Sequence, residues 1–111
     1  MSEELRKLTD VDRLIHEPAR LLIVTILYAV EKVDFLYLLH ETGLTKGNLS
    51  THLAKLENAQ YVKIEKSFRG KIPQTILSLT DEGRAAFESY RSQLSKIVNK
   101  LSEETNERLD H

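Results

Sequence analysis

Residues 44–80, LTKGNLSTHLAKLENAQYVKIEKSFRGKIPQTILSLT, change their hydrophobic period once, and that change limits the folds open to the chain. Leu49, Leu53 and Leu56 recur at i, i+4 and i+7, the spacing of one helix face. From Tyr61 the period drops to two. Val62, Ile64 and Phe68 fall on one side and Tyr61, Lys63, Glu65 and Ser67 on the other, as in a half-buried strand. Arg69-Gly70-Lys71 with Pro73 close behind is turn chemistry, and Thr75, Leu77 and Leu79 alternate again as the return strand. A short helix that feeds directly into a hairpin with a basic tip sets two positive probes side by side. A helix fits a DNA major groove, and a hairpin tip can reach the neighbouring backbone or minor groove.

The flanks supply the rest of a small domain. Leu5, Leu8, Val11 and Leu14 or Ile15 predict an amphipathic helix over 2–16. His16, Glu17 and Pro18 interrupt it, and Pro18 suits the first turn of the next helix, where its missing N–H costs nothing. Ala19 to Val30 is apolar nearly all round, which predicts a helix buried on most sides. Val33 marks a strand stub, Asp34 caps a helix bearing Phe35, Leu38 and Leu39, and Gly43 ends it. Thr45 then caps the next helix, so the pair is joined by a short Gly-containing turn, a helix-turn-helix pattern.

Thr80 caps a long final helix, with Asp81 and Glu82 suited to its positive end. Phe87, Tyr90, Leu94, Ile97 and Leu101 alternate at three and four, a narrow seam running on toward Leu109. Such a helix would be about 40 Å long, more than a compact domain of this size is wide. Its distal half therefore calls for a partner. A homodimer is expected, with Leu5, Leu8, Ile15, Tyr90, Leu94, Ile97 and Leu101 at the interface.

Composition narrows the function. A chain of 111 residues is one domain on size, and it can bury roughly 65% of its unfolded surface without a metal or disulfide. The absence of cysteine excludes a disulfide framework, a thiolate zinc site and a Cys nucleophile. The N-terminus is charged, and the longest apolar run is broken by Thr25 and too short to span a bilayer, so a cytoplasmic protein without membrane contact is expected. The net charge of −1 conceals a partition. Residues 44–80 hold six Lys/Arg against two Asp/Glu, while the segments before and after are both net acidic. A local cationic excess of this kind suits a polyanion.

The face of the 45–58 helix left free by the leucines carries Thr45, Lys46, Asn48, Ser50, Thr51, His52 and Lys55. These groups donate and accept hydrogen bonds, as contact with base edges and phosphates requires. They also sacrifice helix propensity relative to the Glu and Lys of an ordinary solvent face. On the hairpin, Lys66, Arg69, Lys71 and Gln74 are the candidates for backbone or minor-groove contact. His16, His40, His52 and His111 show no metal-ligand spacing, and Ser50 and His52 are two apart on a helix and cannot face each other. No phosphate loop or nucleophile elbow is present. No metal, no cofactor and no catalytic activity are expected.

The segments EPARLLIVTILY, LTKGNLSTHLAKLENAQYV and TILSLTDEGRAAFESY carry a resemblance. The chain resembles the winged helix-turn-helix transcriptional regulators of the broad MarR/ArsR-like superfamily, in particular small one-domain members with a long C-terminal helix. The resemblance covers about residues 16–92. It implies that 45–58 is the recognition helix, that 69–73 is the wing tip and that 81–109 helps to make a dimer. The chain departs from the pattern at Ala59-Gln60, where the family often has Gly. Either Gln60 takes the left-handed conformation at about 1 kcal/mol, or the helix ends differently.

The expectation is an α+β, mostly helical chain: one winged-helix domain over 1–111, with a core at 16–92 and dimerisation elements at 2–16 and 93–109. It would bind double-stranded DNA as a homodimer and regulate transcription. Any small-molecule effector would sit between the 19–30 helix and the dimer seam, although no residue identifies one. The alternative is a protein-interaction module that uses the same scaffold without touching DNA.

Overall fold

Helices precede and follow a hairpin in the order the hydrophobic periods require. The computed structural model describes residues 11–109, with α1 (Pro18–Val30), β1 (Lys32–Asp34), α2 (Phe35–Thr42), α3 (Lys46–Asn58), β2 (Val62–Arg69), β3 (Ile72–Leu79) and α4 (Asp81–Leu109). The fold is a winged helix, α+β and mostly helical. Among the described residues no helix is long and apolar enough to cross a membrane.

Each boundary has a local cause. Glu17 caps α1 by accepting from the backbone N–H groups of Ala19 at 3.0 Å and Arg20 at 2.9 Å, with Pro18 in the first turn. Asp34 caps α2 through Tyr37 N–H at 2.7 Å. That helix stops at Gly43, whose φ of 69° is a left-handed conformation that glycine adopts without penalty. Thr45 Oγ1 accepts from Asn48 N–H at 3.1 Å to begin α3. Thr80 Oγ1 does the same for α4 through Gly83 N–H at 2.9 Å.

The three strands form one antiparallel sheet in the order β1-β3-β2. Val33 stands opposite Leu77, and Leu79 opposite Val62. β3 begins at Ile72 rather than Thr75, so Pro73 lies inside a strand. It is tolerated because β1 reaches only as far as Ile76, leaving that side of β3 an open edge at Pro73. One core runs through the domain. Ile23, Val24 and Leu27 of α1 meet Leu38 of α2, Leu49, Leu53 and Leu56 of α3, Val62 and Leu77 of the sheet, and Phe87 of α4, all buried. Tyr28 and Phe87 also pack as a tilted ring pair at a centroid distance of 4.9 Å, tying α1 to α4.

The N-terminal expectation needs correction. Leu5 and Leu8 lie outside the described residues, and residues 11–17 form turns and bends rather than the end of a helix. Asp12 explains the turn. Its Oδ1 accepts from Leu14 N–H at 2.9 Å and Ile15 N–H at 3.2 Å, a side-chain competitor to helical hydrogen bonding. Ile15 is fully buried in the core of its own domain, so its apolar surface is already spent there and is not free for a second subunit.

Candidate nucleic-acid interface

The leucines of α3 face inward, which leaves Lys46, Gly47, Asn48, Ser50, Thr51, Ala54 and Lys55 exposed along one side. The Thr45 hydroxyl is exposed too. It uses a lone pair as the cap and keeps its proton for an external acceptor. Thr51 Oγ1 donates back to Gly47 C=O at 2.9 Å and keeps its accepting capacity. No large apolar side chain is exposed on α3.

His52 departs from this face. It follows Leu49 by three residues and precedes Leu56 by four, which puts it beside the buried row. Its Nδ1 accepts from Arg20 Nη1 at 3.2 Å and lies 3.6 Å from Glu17 Oε2. Arg20 is anchored in turn by donation from Nε to Leu14 C=O at 2.6 Å. His52 is thus a joint between α3 and the start of α1, not part of the outward polar face. Burial works to raise the Glu17 pKa, but the N–H groups of Arg20 and Ala19, with the charge of His52 in its protonated form and of Arg20, outweigh it and hold the pKa below the ordinary value. Arg20 and Glu17 carry no motif in the sequence, and only the offset of His52 from the exposed face of α3 points to them.

The turn from α3 into β2 sets the angle of the hairpin. Gln60 takes the left-handed conformation at φ 66°. Gln60 N–H donates to Glu57 C=O and Tyr61 N–H to Leu56 C=O, both at 2.9 Å, the paired bonds of a Schellman cap. The corner is then clamped from α4. Thr80 Oγ1 donates to Gln60 C=O at 2.5 Å, and Thr80 N–H to Tyr61 C=O at 3.0 Å. Tyr61 OH donates to Asp12 Oδ2 at 2.5 Å. That hydrogen bond, with burial and the negative charge of Asp12 and Glu82, pushes the Tyr61 pKa up to about 12.

β2 and β3 form the wing. Arg69 pairs with Ile72 across the two-residue loop Gly70-Lys71, and Gly70 supplies the φ of 65° that this tight turn needs. Arg69 and Lys71 are exposed at the tip. Lys66 pairs in register with Thr75 and donates to its Oγ1 at 3.1 Å. Both line a cleft of about 310 Å³ between α3 and the wing, together with Ser50 and Glu57. Ser50 and Lys66 are therefore brought to one side, and Arg69 and Lys71 extend beyond them at the tip. Gln74, one step from Thr75 and opposite Ser67, belongs to the other sheet face and is half-buried. Lys63 is paired with Glu65 at 3.0 Å, and the Lys63 hydrogen bond lowers the Glu65 pKa.

Along α4 the seam is split. Tyr90 is buried and hydrogen-bonded to His16 Nδ1 at 2.8 Å, and Ile97 is buried as well. Both side chains are covered in the single chain, contrary to the expectation of an open interface row. Leu94 and Val98 are 40% and 53% exposed, Leu101 is half-buried, and Leu22 of α1 is exposed nearby in sequence order to Leu21 and Thr25. Leu21, Thr25, Phe87, Leu94 and Val98 line a groove of about 420 Å³ between α1 and α4.

The family model described as a winged helix DNA-binding domain matches residues 19–98, and the chain belongs to that family. It is similar to an uncharacterized protein of Methanocaldococcus jannaschii, 38% identical over 90 residues, covering 80% of this chain and 97% of that one. Among solved structures it is similar to a transcriptional regulator homologue of Pyrococcus horikoshii OT3. The TM-score is 0.81 with 29% identity, over 90% of this chain and 98% of that one. A MarR-like transcription regulator of Bacillus cereus shares the fold, with a TM-score of 0.64 and 20% identity over 88% of this chain and 78% of that one. These likenesses show a shared winged-helix fold.

Proposed function

We propose that this protein is a homodimeric, sequence-specific regulator of transcription that binds double-stranded DNA. Each subunit lays α3 in a major groove, where Lys46, Asn48, Ser50 and Thr51 meet base edges and phosphates. Lys55 and Thr45 add backbone contacts at the two ends of the helix. Lys66, Arg69 and Lys71 hold the flanking backbone. The observation that carries this reading is the juxtaposition of an exposed polar face on α3 with a cationic wing, in the one stretch of the chain with a positive excess. A face built for protein docking would expose aromatic or aliphatic side chains on α3, and it exposes none of large size.

The dimer reading is supported by the exposed Leu94 and Val98 on a helix of 29 residues, about 43 Å long. Two-fold symmetry would set two α3 helices against half-sites about one helical turn, roughly 34 Å, apart. A regulator of this kind works in the cytoplasm. Selection from random duplex DNA, with molar mass measured in solution, tests the reading. A pseudo-palindromic site bound by a species of twice the chain mass is expected. A monomer that enriches no sequence at low salt, while a partner protein co-purifies, would establish the interaction module instead.

A further inference from the structure

The wing tip exposes apolar surface that phosphate contact does not use. Phe68 is 70% exposed and Ile72 68%. Phe68 stands opposite Pro73 and Ile72 opposite Arg69, one step apart in register. Successive strand residues point to opposite faces, so Phe68 and Ile72 project from the two sides of one narrow tip. Lys66, Arg69 and Lys71 surround them, and no Asp or Glu occurs from residue 66 to residue 80. Beneath the tip a groove of about 500 Å³ runs against Asp34, Phe35 and Leu36, and the Asp34 carboxylate there is already engaged as the α2 cap. Apolar side chains on both faces, ringed by cations, match a ligand with anionic rims and less polar walls. The DNA minor groove has that form, with phosphates outside and sugar faces within.

We propose that the wing tip acts as an apolar wedge in the flanking minor groove, with Phe68 and Ile72 bearing on its two walls, so that affinity depends on how readily that flank widens. The inference rests on the DNA-binding reading above. Its geometry follows from widths. Side chains on the faces of a sheet give it a face-to-face thickness of about 10 Å, and a B-form minor groove is about 6 Å wide. A tip with a side chain on each face does not fit unless the groove opens. Pyrimidine–purine steps open at low cost, whereas A-tracts are stiff and narrow. A wing acting only through Arg69 and Lys71 would have the reverse preference, because a narrow groove concentrates negative potential.

The test uses the full chain and duplexes carrying the selected site, with the flank under the wing changed to TA and CA steps or to an A-tract. Binding is followed by fluorescence anisotropy across a salt series. The unaltered protein is expected to bind the deformable flank roughly tenfold more tightly than the A-tract. The double variant Phe68→Ser, Ile72→Ser is expected to lose that preference and about tenfold in affinity while keeping its salt slope. The variant Arg69→Gln, Lys71→Gln should keep the preference and flatten the log–log salt slope by about 3 to 4 units over two subunits. Both apolar side chains are exposed, so matching thermal melts should confirm that the serine variant folds.

Equal binding to the two flanks, tighter binding to the A-tract, or an unchanged serine variant would each overturn the wedge. A change in the molar mass of the free serine variant would assign the tip to a second copy of the chain and overturn it as well. If the chain selects a site but ignores Phe68 and Ile72, only this inference fails. If it selects no duplex, the DNA-binding reading fails and takes the wedge with it.

Discussion

Gly83 of α4 lies directly against the backbone of Tyr61: a Cβ on Gly83 would sit 2.1 Å from the Tyr61 carbonyl oxygen and 2.9 Å from its carbonyl carbon. The obstruction is main chain, already held by Thr80 N–H, so it cannot swing aside as a side chain would. Gly83→Ala should therefore cost about 2–3 kcal/mol of stability by overpacking, measured by urea denaturation. The strain falls on the corner that aims the wing. The folded fraction of the variant should lose duplex affinity even though Gly83 is itself buried.

Gly47 gives the opposite result. A Cβ there meets nothing within 4 Å and the residue is helical. Gly47→Ala should raise stability by about 0.5 kcal/mol, less than a mid-helix site would give because it lies in the first turn. The added methyl projects from the face assigned to DNA, so affinity should fall while stability rises. A variant that gains both would remove Gly47 from the contact surface.

The helix–hairpin unit was legible because its signals are local. The leucine spacing of α3, the alternation in the strands and the caps at Asp34, Thr45 and Thr80 all stand as the sequence implies. What escaped depends on contacts distant in sequence. Asp12 turns residues 11–17 by bonding its own backbone, while its second oxygen receives Tyr61, 49 residues away. The inward side of His52 becomes evident only when Arg20 and Glu17 are beside it. Tyr90 fits an intersubunit seam by spacing alone, yet His16 and the core cover it. Phe68 obeys the inward alternation of β2, but the strand continues past the edge of the core and leaves it in solvent.

Gln60 adopts the left-handed conformation that usually selects glycine, at a cost of about 1 kcal/mol. Its backbone bonds need no side chain, so Gln60→Gly should preserve the cap and stabilise the fold by somewhat under 1 kcal/mol after the added flexibility of the unfolded chain is counted. The midpoint of urea unfolding checks this. Duplex affinity should be unchanged, since the angle of the wing is set by the Thr80 and Gly83 clamp.

Tyr61 makes stability sensitive to alkaline pH. Its pKa is raised to about 12 from an ordinary 10, chiefly by donation to Asp12. The folded state therefore holds this proton more tightly than the unfolded state. The contribution is complete below pH 10 and is lost as pH rises from 10 through 12. Tyr61→Phe should cost about 1–2 kcal/mol at pH 7, as loss of a hydrogen bond to a charged acceptor. It should also have a flatter stability curve between pH 10 and 12 than the parent. Parallel curves for the two proteins over that range would show that the Tyr61–Asp12 bond does not link protonation to folding.

Glu17, Arg20 and His52 make a corresponding prediction in acid, and it reaches the DNA-binding helix. The Glu17 pKa lies below its ordinary 4.5, so its contribution is present above that value and is lost as pH falls through the lowered one. Glu17→Ala should remove the α1 cap at about 1 kcal/mol and flatten the acid limb of the stability curve. His52→Ala tests the joint from the other side. If His52 acts by orienting α3, the variant should lose several-fold in duplex affinity at constant salt slope, because no phosphate contact is removed. Lys46→Gln, on the exposed face, should instead flatten the slope by about 0.9 for each subunit. A flattened slope in His52→Ala would return His52 to the phosphate-contacting set. An unchanged slope with weakened binding would establish that the base of α1 sets the pose of the recognition helix.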